Sequence, residues 1–128
     1  MSNLVYPELS FKLVGILFEV HNELGNRYQE KYYQRAVEIA FKKQKIPYKK
    51  ELEVSLTFDN ESIGKYFLDF LIDDKIVLEL KVKPILTKTD YKQVRAYLNS
   101  SKLKLGILAN FYGNSLEYER ILNSKVII

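Results

Sequence analysis

Hydrophobic residues recur at helical spacing through the first third of the chain. From Glu8 to Leu24 an apolar residue returns every three or four positions, with Pro7 near the start and Gly25-Asn26 after the end, which predicts an amphipathic helix. A second pattern of this kind runs from Tyr28 to Gln44. Its inward stripe consists of Tyr33, Ala36, Val37, Ala40 and Phe41. Two helices are therefore expected before the first strand.

The middle of the chain changes to the pattern of β-strands. Residues 52–58 alternate between apolar and polar positions, which predicts a strand with one solvated face. Residues 66–72 and 76–82 are apolar on both faces and are separated by Asp73, Asp74 and Lys75. They are predicted to form a hairpin of two buried strands in the middle of a sheet.

The last third combines helical and strand patterns. Thr87 and Asp90 have the spacing of a capping box, and a helix is predicted from there to about Asn99. Residues 103–109 are predicted to form a buried strand, residues 115–122 a short helix, and residues 125–128 a last strand or a frayed end. The order ααβββαβ plus a C-terminal helix predicts an α/β fold with a mixed β-sheet flanked by helices on both sides.

Composition narrows the protein class. A chain of 128 residues with 47% hydrophobic and 28% charged residues is expected to be a single globular domain, residues 1–128. The absence of cysteine excludes disulfides and thiolate chemistry, so any metal must bind to oxygen ligands. No apolar run is long enough to cross a bilayer and residues 1–11 do not form a secretory signal, so a cytoplasmic protein without a membrane partner is expected.

Three charged residues interrupt the apolar hairpin: Asp69, Glu79 and Lys81. Burying each would be costly unless it is paired, neutralised or bound to a cation. Glu79 and Lys81 are two apart and share one face of a strand. A three-residue loop would place Asp69 opposite Glu79, with Cα atoms roughly 5 Å apart, whereas a two-residue loop would send it to the other face. Two carboxylates this close favour a site for Mg²⁺ or Mn²⁺.

Two helical residues could join this group. Glu30 lies on the inward stripe of the second helix, and Gln93 lies four residues before Tyr97 on the third, where its amide could bond the site or a substrate phosphate. The competing interpretation is structural. In that case Glu79 and Lys81 form a same-face salt bridge, Asp69 caps a turn, and the two helical residues face solvent.

These residues lie in segments that resemble the GxxExxY protein family, a branch of the PD-(D/E)xK nuclease superfamily. The resemblance extends from about Val14 to Phe111 and is carried by VGILFEVHNELG (14–25), YQEKYY (28–33), LDFLIDDKIVLELK (68–81), QVRAYL (93–98) and LGILANF (105–111). It implies a restriction-endonuclease-like three-layer fold and a Mg²⁺- or Mn²⁺-dependent nuclease.

The resemblance also implies a role for each site residue. Asp69, Glu79 and Glu30 would hold the metal, Lys81 would be the catalytic lysine, and Gln93 would match a glutamine found in a subset of these nucleases. The implied partner is nucleic acid, with DNA preferred over RNA. A homodimer would allow cleavage of both strands of a duplex.

The chain departs from the family pattern at three positions. Arg27 replaces the first glycine of GxxExxY, Asp90 stands where relatives often have histidine, and Pro84 stands where a glutamate is common. His21, the only histidine, is interpreted as structural. The ten tyrosines are assigned to packing rather than to base stacking, because most have helical or strand spacing.

Three functions compete at this point. The first is a metal-dependent nuclease that hydrolyses phosphodiester bonds. The second is a catalytically inactive module on the same fold that binds nucleic acid or a protein partner. The third is a small self-associating protein. Stabilisation by Mg²⁺ or Mn²⁺ distinguishes the first from the second, and light scattering tests the third.

Overall fold

A computed structural model describes residues 5–127. The elements are α1 (Pro7–Leu24), α2 (Glu30–Lys43), β1 (Tyr48–Phe58), β2 (Glu61–Ile72), β3 (Ile76–Lys81), α3 (Lys88–Ser101), β4 (Leu105–Asn110) and β5 (Glu117–Leu122). All five strands belong to one sheet in the order β1-β2-β3-β4-β5. The β3–β4 pair is parallel and the other three pairs are antiparallel, so the predicted mixed sheet is confirmed.

The helices cover both faces of this sheet. The apolar stripes of α1 and α2 pack on one face, where Leu13, Tyr33 and Phe41 are completely buried against strand residues such as Leu78. Helix α3 packs on the other face through Val94 and Leu98. The predicted three-layer α/β arrangement is therefore confirmed. Thr87 caps α3 in the predicted capping box with Asp90.

The sequence-based prediction is wrong for the tail. Residues 117–122 form the edge strand β5, which pairs antiparallel with β4, and not a helix. The reason is tertiary: β4 has a free edge, and its backbone hydrogen bonds stabilise an extended partner more than a single helical turn would stabilise itself. Residues 125–127 form no strand, and Ile128 lies outside the described residues.

The first strand is longer than predicted and only partly covered. It begins at Tyr48 rather than Leu52, and Leu56 and Phe58 are 44% and 72% exposed although their spacing predicted a buried face. The β1–β2 pair continues past the core as a two-stranded ribbon, because β2 pairs with β3 only through residues 70–72. Within residues 5–127 no helix is long and apolar enough to span a membrane.

Candidate active site

The candidate site lies where strands β2 and β3 separate. Ile72 pairs with Ile76 across the loop 73–75, as a three-residue loop requires, and the regular pairing ends at Phe70 and Leu78. Beyond that pair, side-chain carboxylates take the place of main-chain carbonyls as hydrogen-bond acceptors between the two strands. The main-chain N–H of Asp69 donates to Glu79 Oε1 at 2.9 Å, and the N–H of Leu80 donates to Asp69 Oδ2 at 2.7 Å. The two carboxylates therefore lie together at the fork between the strands.

The strand on the other side of Asp69 is also distorted at this position. Lys50 pairs with Phe70 and Leu52 pairs with Leu68, but Glu51, which lies between them, is not paired with Asp69. Its φ of 57° places Glu51 in the left-handed region, which costs a residue other than glycine roughly 1 kcal/mol or more. Asp69 thus lies in a gap of the backbone ladder on both sides.

Lys81 extends the site toward α3. Its Nζ lies 3.1 Å from Glu79 Oε2 and 3.9 Å from Asp90 Oδ1. Asp90 also holds Lys83, whose Nζ is 2.9 Å from Oδ2. Glu79 and Asp90 are nearly fully buried, whereas Lys81 keeps about a fifth of its side chain exposed. The ammonium group of Lys81 is therefore held by two buried carboxylates while part of it stays accessible.

Helix α2 brings Glu30 to the site through Gln34. The Nε2 group of Gln34 donates to Asp69 Oδ1 at 2.7 Å and to Glu30 Oε2 at 3.1 Å. The buried hydroxyl of Tyr33 donates to the carbonyl of Gly25 at 2.6 Å, which ties the first turn of α2 to the end of α1. This anchor fixes the position at which Glu30 begins the helix.

Burial and repulsion perturb the ionisation of the acidic residues. Burial, followed by repulsion from Glu79, raises the pKa of Asp69 from 3.8 to about 8. The raised pKa favours the protonated form of Asp69, whose neighbour Glu79 is ion-paired with Lys81. Burial also raises the pKa of Glu30. Burial by itself would lower the pKa of Lys81, but the surrounding carboxylates outweigh it and raise that pKa, so Lys81 stays charged. Burial therefore disfavours the ionised forms of Asp69 and Glu30, and repulsion between the carboxylates adds to this effect.

A family model described as the PD-(D/E)XK nuclease superfamily matches residues 7–121. The chain belongs to the PD-(D/E)XK nuclease superfamily. Asp69 and the series Glu79-Leu80-Lys81 fit the motif in that name, with Leu68 in place of the proline. Membership of the GxxExxY branch stays a prediction.

The crystal structure of SSO0001 resembles this chain with a TM-score of 0.56 and 18% sequence identity. The match covers 92% of this chain and 57% of the SSO0001 chain, so this chain spans little more than half of that structure. At this identity the likeness shows a shared fold. No similar protein was found among curated sequences.

The PD-(D/E)XK motif residues come together largely as predicted. Asp69, Glu79 and Lys81 share the fork, and Glu30 reaches it through Gln34. Gln93 lies one turn after Asp90 on α3, and its main-chain carbonyl accepts from the Tyr66 hydroxyl at 3.1 Å. Within residues 5–127 its side-chain amide forms no hydrogen bond with the site. His21 is buried and bonds the carbonyl of Gly113 at 2.9 Å, which agrees with a structural role.

Two parts of this PD-(D/E)XK site were missed from the sequence. Gln34 has a recognisable signal, because it lies four residues after Glu30 and so on the same face of the helix. The Lys83–Asp90 pair joins the end of β3 to the first turn of α3 and has no local signal. Its formation depends on how the α3 layer packs on the sheet.

The donor set fits a hard divalent cation, although the described residues hold no ready-made cage. Glu30, Asp69 and Glu79 supply only oxygen ligands, and burial followed by repulsion from Glu79 raises the pKa of Asp69, so a bound cation would stabilise its charged form. Within residues 5–127, however, no three acidic or histidine side chains are grouped closely enough to bind an ion. Gln34 separates Glu30 from Asp69, and Lys81 bonds Glu79. Metal binding requires these carboxylates to exchange partners.

Proposed function

We propose that this protein is a metal-dependent nuclease that hydrolyses phosphodiester bonds of nucleic acid, with DNA as the expected substrate. The observation that carries the proposal is the fork, where two neighbouring carboxylates, Asp69 and Glu79, lie in the gap of the sheet beside a charged lysine. A fold gains no stability from placing a repelling pair there, which favours a chemical use of the pair. Family membership supports the same reaction class.

Asp69, Glu79 and Glu30 would hold Mg²⁺ or Mn²⁺. When bound, the ion supplies a Lewis acid that lowers the pKa of water and polarises the phosphoryl oxygen. Asp69 must lose its proton to act as a ligand, and because its raised pKa favours the neutral form, this loss requires a cation that compensates the added charge. Gln34 orients Glu30 and Asp69 toward each other by donating to both.

Lys81 is assigned the stabilisation of charge on the reacting phosphate. Its raised pKa keeps the ammonium protonated, and its exposed fraction leaves N–H donors available to a phosphate oxygen. Asp90 and Glu79 hold the side chain in place, and Lys83 neutralises Asp90 so that Lys81 retains its donors. The amide of Gln93 is assigned a second contact to a substrate phosphate.

The test combines metal binding with cleavage. Melting curves with and without Mn²⁺ are expected to show a rise in melting temperature for the wild type that disappears in Asp69→Asn and Glu79→Gln. The matched control is Glu53→Gln, which removes an exposed carboxylate paired with Lys65 and should keep the full rise. Cleavage of a labelled oligonucleotide should require Mn²⁺ or Mg²⁺ and should be abolished in Lys81→Ala.

One observation favours a catalytically inactive binding module instead. The acidic side chains of the fork already have partners within the chain, since Glu79 accepts from the Asp69 N–H and pairs with Lys81 while Asp69 accepts from Leu80 and Gln34. A module of this kind would bind nucleic acid or a protein partner without a metal. An equal response to Mn²⁺ in the wild type and in Asp69→Asn, together with no cleavage, would establish it.

A further inference from the structure

Helix α2 and the residues just before it carry an exposed group of aromatic and basic side chains that the site described above does not use. Tyr28 and Tyr32 are 46% and 42% exposed, and their rings meet edge to face with centroids 6.0 Å apart. Lys31 Nζ lies 5.2 Å and the guanidinium carbon of Arg35 lies 5.7 Å from the centre of the Tyr32 ring. We refer to Tyr28, Lys31, Tyr32 and Arg35 as the α2 platform.

Helical geometry connects the α2 platform to the candidate site. Glu30 and Gln34 face Asp69, and each further residue turns about 100° around the helix. Lys31 and Arg35 therefore lie about a quarter turn from the residues that face Asp69, and Tyr32 lies about 200° around the helix from Glu30, on its far side. A groove of about 310 Å³ opens between α2 and the β1–β2 strands, and its lining includes Lys31, Arg35, Gln34 and Asp69. The basic side chains thus lie between the carboxylates and the exposed ring.

The basic side chains of the α2 platform line a groove that they share with the carboxylates of Glu38, Glu51 and Asp69. Neither Lys31 nor Arg35 forms an ion pair with any residue in the described range 5–127, whereas Lys50 on the other side of the groove is paired with Glu38 at 3.2 Å. Unpaired cations beside a groove attract phosphate groups. They also counter the repulsion that the acidic fork exerts on a polyanion.

We propose that the α2 platform binds a single-stranded segment of nucleic acid and leads it to the fork, an inference that deepens the proposed function and rests on it. Phosphates contact Lys31 and Arg35 while a base stacks on Tyr32. An exposed ring can stack only on a base whose face is open, and in a duplex the neighbouring bases cover those faces. The platform therefore selects unpaired strands over duplexes.

The first experiment measures binding in EDTA, where no metal-dependent cleavage occurs. The fluorescence anisotropy of labelled DNA is expected to show that a short single strand binds more tightly than the duplex of the same sequence. Tyr32→Ala should weaken single-strand binding by roughly 5- to 100-fold, whereas Tyr32→Phe should keep it. The matched control is Tyr118→Ala, which removes a 37% exposed tyrosine on β5 at the opposite edge of the sheet and should leave binding unchanged.

Salt dependence tests the basic part separately. Replacing both Lys31 and Arg35 with alanine should reduce the slope of log Kd against log salt concentration by about 1.4, which corresponds to two phosphate contacts on a single strand. The control pair is Lys42→Ala with Lys43→Ala on the last turn of the same helix, which should leave the slope unchanged.

A direct reporter of stacking is available because the chain has no tryptophan. Tyr32→Trp introduces one, and its fluorescence should be quenched by a single strand, while Tyr118→Trp should not respond. Duplex binding as tight as single-strand binding, an equal loss in Tyr32→Ala and Tyr118→Ala, or an unquenched Tyr32→Trp would each overturn the inference. Single-strand binding as expected, but without any cleavage when Mn²⁺ or Mg²⁺ is added, would instead contradict the proposed nuclease activity. It would leave the proposal of single-strand binding by the α2 platform intact.

Discussion

Asp69 and Glu79 are joined by a hydrogen bond from the main-chain N–H of the first to the carboxylate of the second, at 2.9 Å. In a regular antiparallel pair that N–H would bond a carbonyl on the neighbouring strand. Here the strands have separated, so the acidic side chain takes the place of the backbone acceptor. The separation of the strands therefore fixes the orientation of the Glu79 carboxylate.

Removing Lys81 should destabilise the protein through Glu79. Lys81→Ala leaves a buried carboxylate without its cation, and a loss of about 3 kcal/mol in unfolding free energy is expected from chemical denaturation. Adding Glu79→Gln should recover part of that loss, because the uncompensated charge is then gone. Lys65→Ala serves as the control, since its exposed pair with Glu53 should cost less than about 1 kcal/mol. Equal losses in the two lysine variants would contradict the buried pairing.

Gln34 should control how readily the site accepts a metal. Gln34→Glu places a third carboxylate between Glu30 and Asp69, so the metal-free melting temperature should fall and the rise on adding Mn²⁺ should exceed that of the wild type. Gln44→Glu makes the same change at the exposed C-cap of α2 and should not enlarge the Mn²⁺ response. A response to Mn²⁺ equal to that of the wild type would show that Gln34 does not separate two ligands.

The stability of the metal-free protein should depend on the ionisation of Asp69. Its pKa rises from 3.8 to about 8 on folding, so the folded state binds the proton more tightly than the unfolded state. The contribution is fully present below pH 4 and is lost as the pH rises through 8. Denaturation in EDTA from pH 5 to 8 should therefore show a steeper loss of stability in the wild type than in Asp69→Asn. The same dependence of stability on pH in both proteins would mean that the proton is bound at a residue other than Asp69.

Two glycines should respond in opposite directions to the same substitution. A Cβ on Gly106 would lie 2.6 Å from Val94 Cγ1, so Gly106→Ala should force α3 away from β4 and cost roughly 1–3 kcal/mol. A Cβ on Gly15, inside α1, meets nothing within 4 Å. Gly15→Ala should therefore stabilise the protein by about 0.5–1 kcal/mol through helix propensity. Thermal denaturation of both variants measures the difference, and a tolerated Gly106→Ala would mean that α3 can shift.

The sequence by itself determined the elements whose patterns are long and local. The apolar stripe of α1 and the capping box of Thr87 each depend on neighbours in the chain, and both are found in the structure. The sequence left a two-residue and a three-residue loop open after Ile72, and the structure has three residues there, the length that brings Asp69 beside Glu79. The charged residues inside the apolar hairpin indicated the candidate site from the sequence alone.

Only the tertiary structure decided the features that depend on distant partners. Residues 117–122 became a strand because the edge of β4 was free. Lys83 met Asp90 because α3 packs across the end of β3. In each case the stabilising free energy comes from contacts between residues that are distant in the chain, so no short stretch of sequence could specify the outcome.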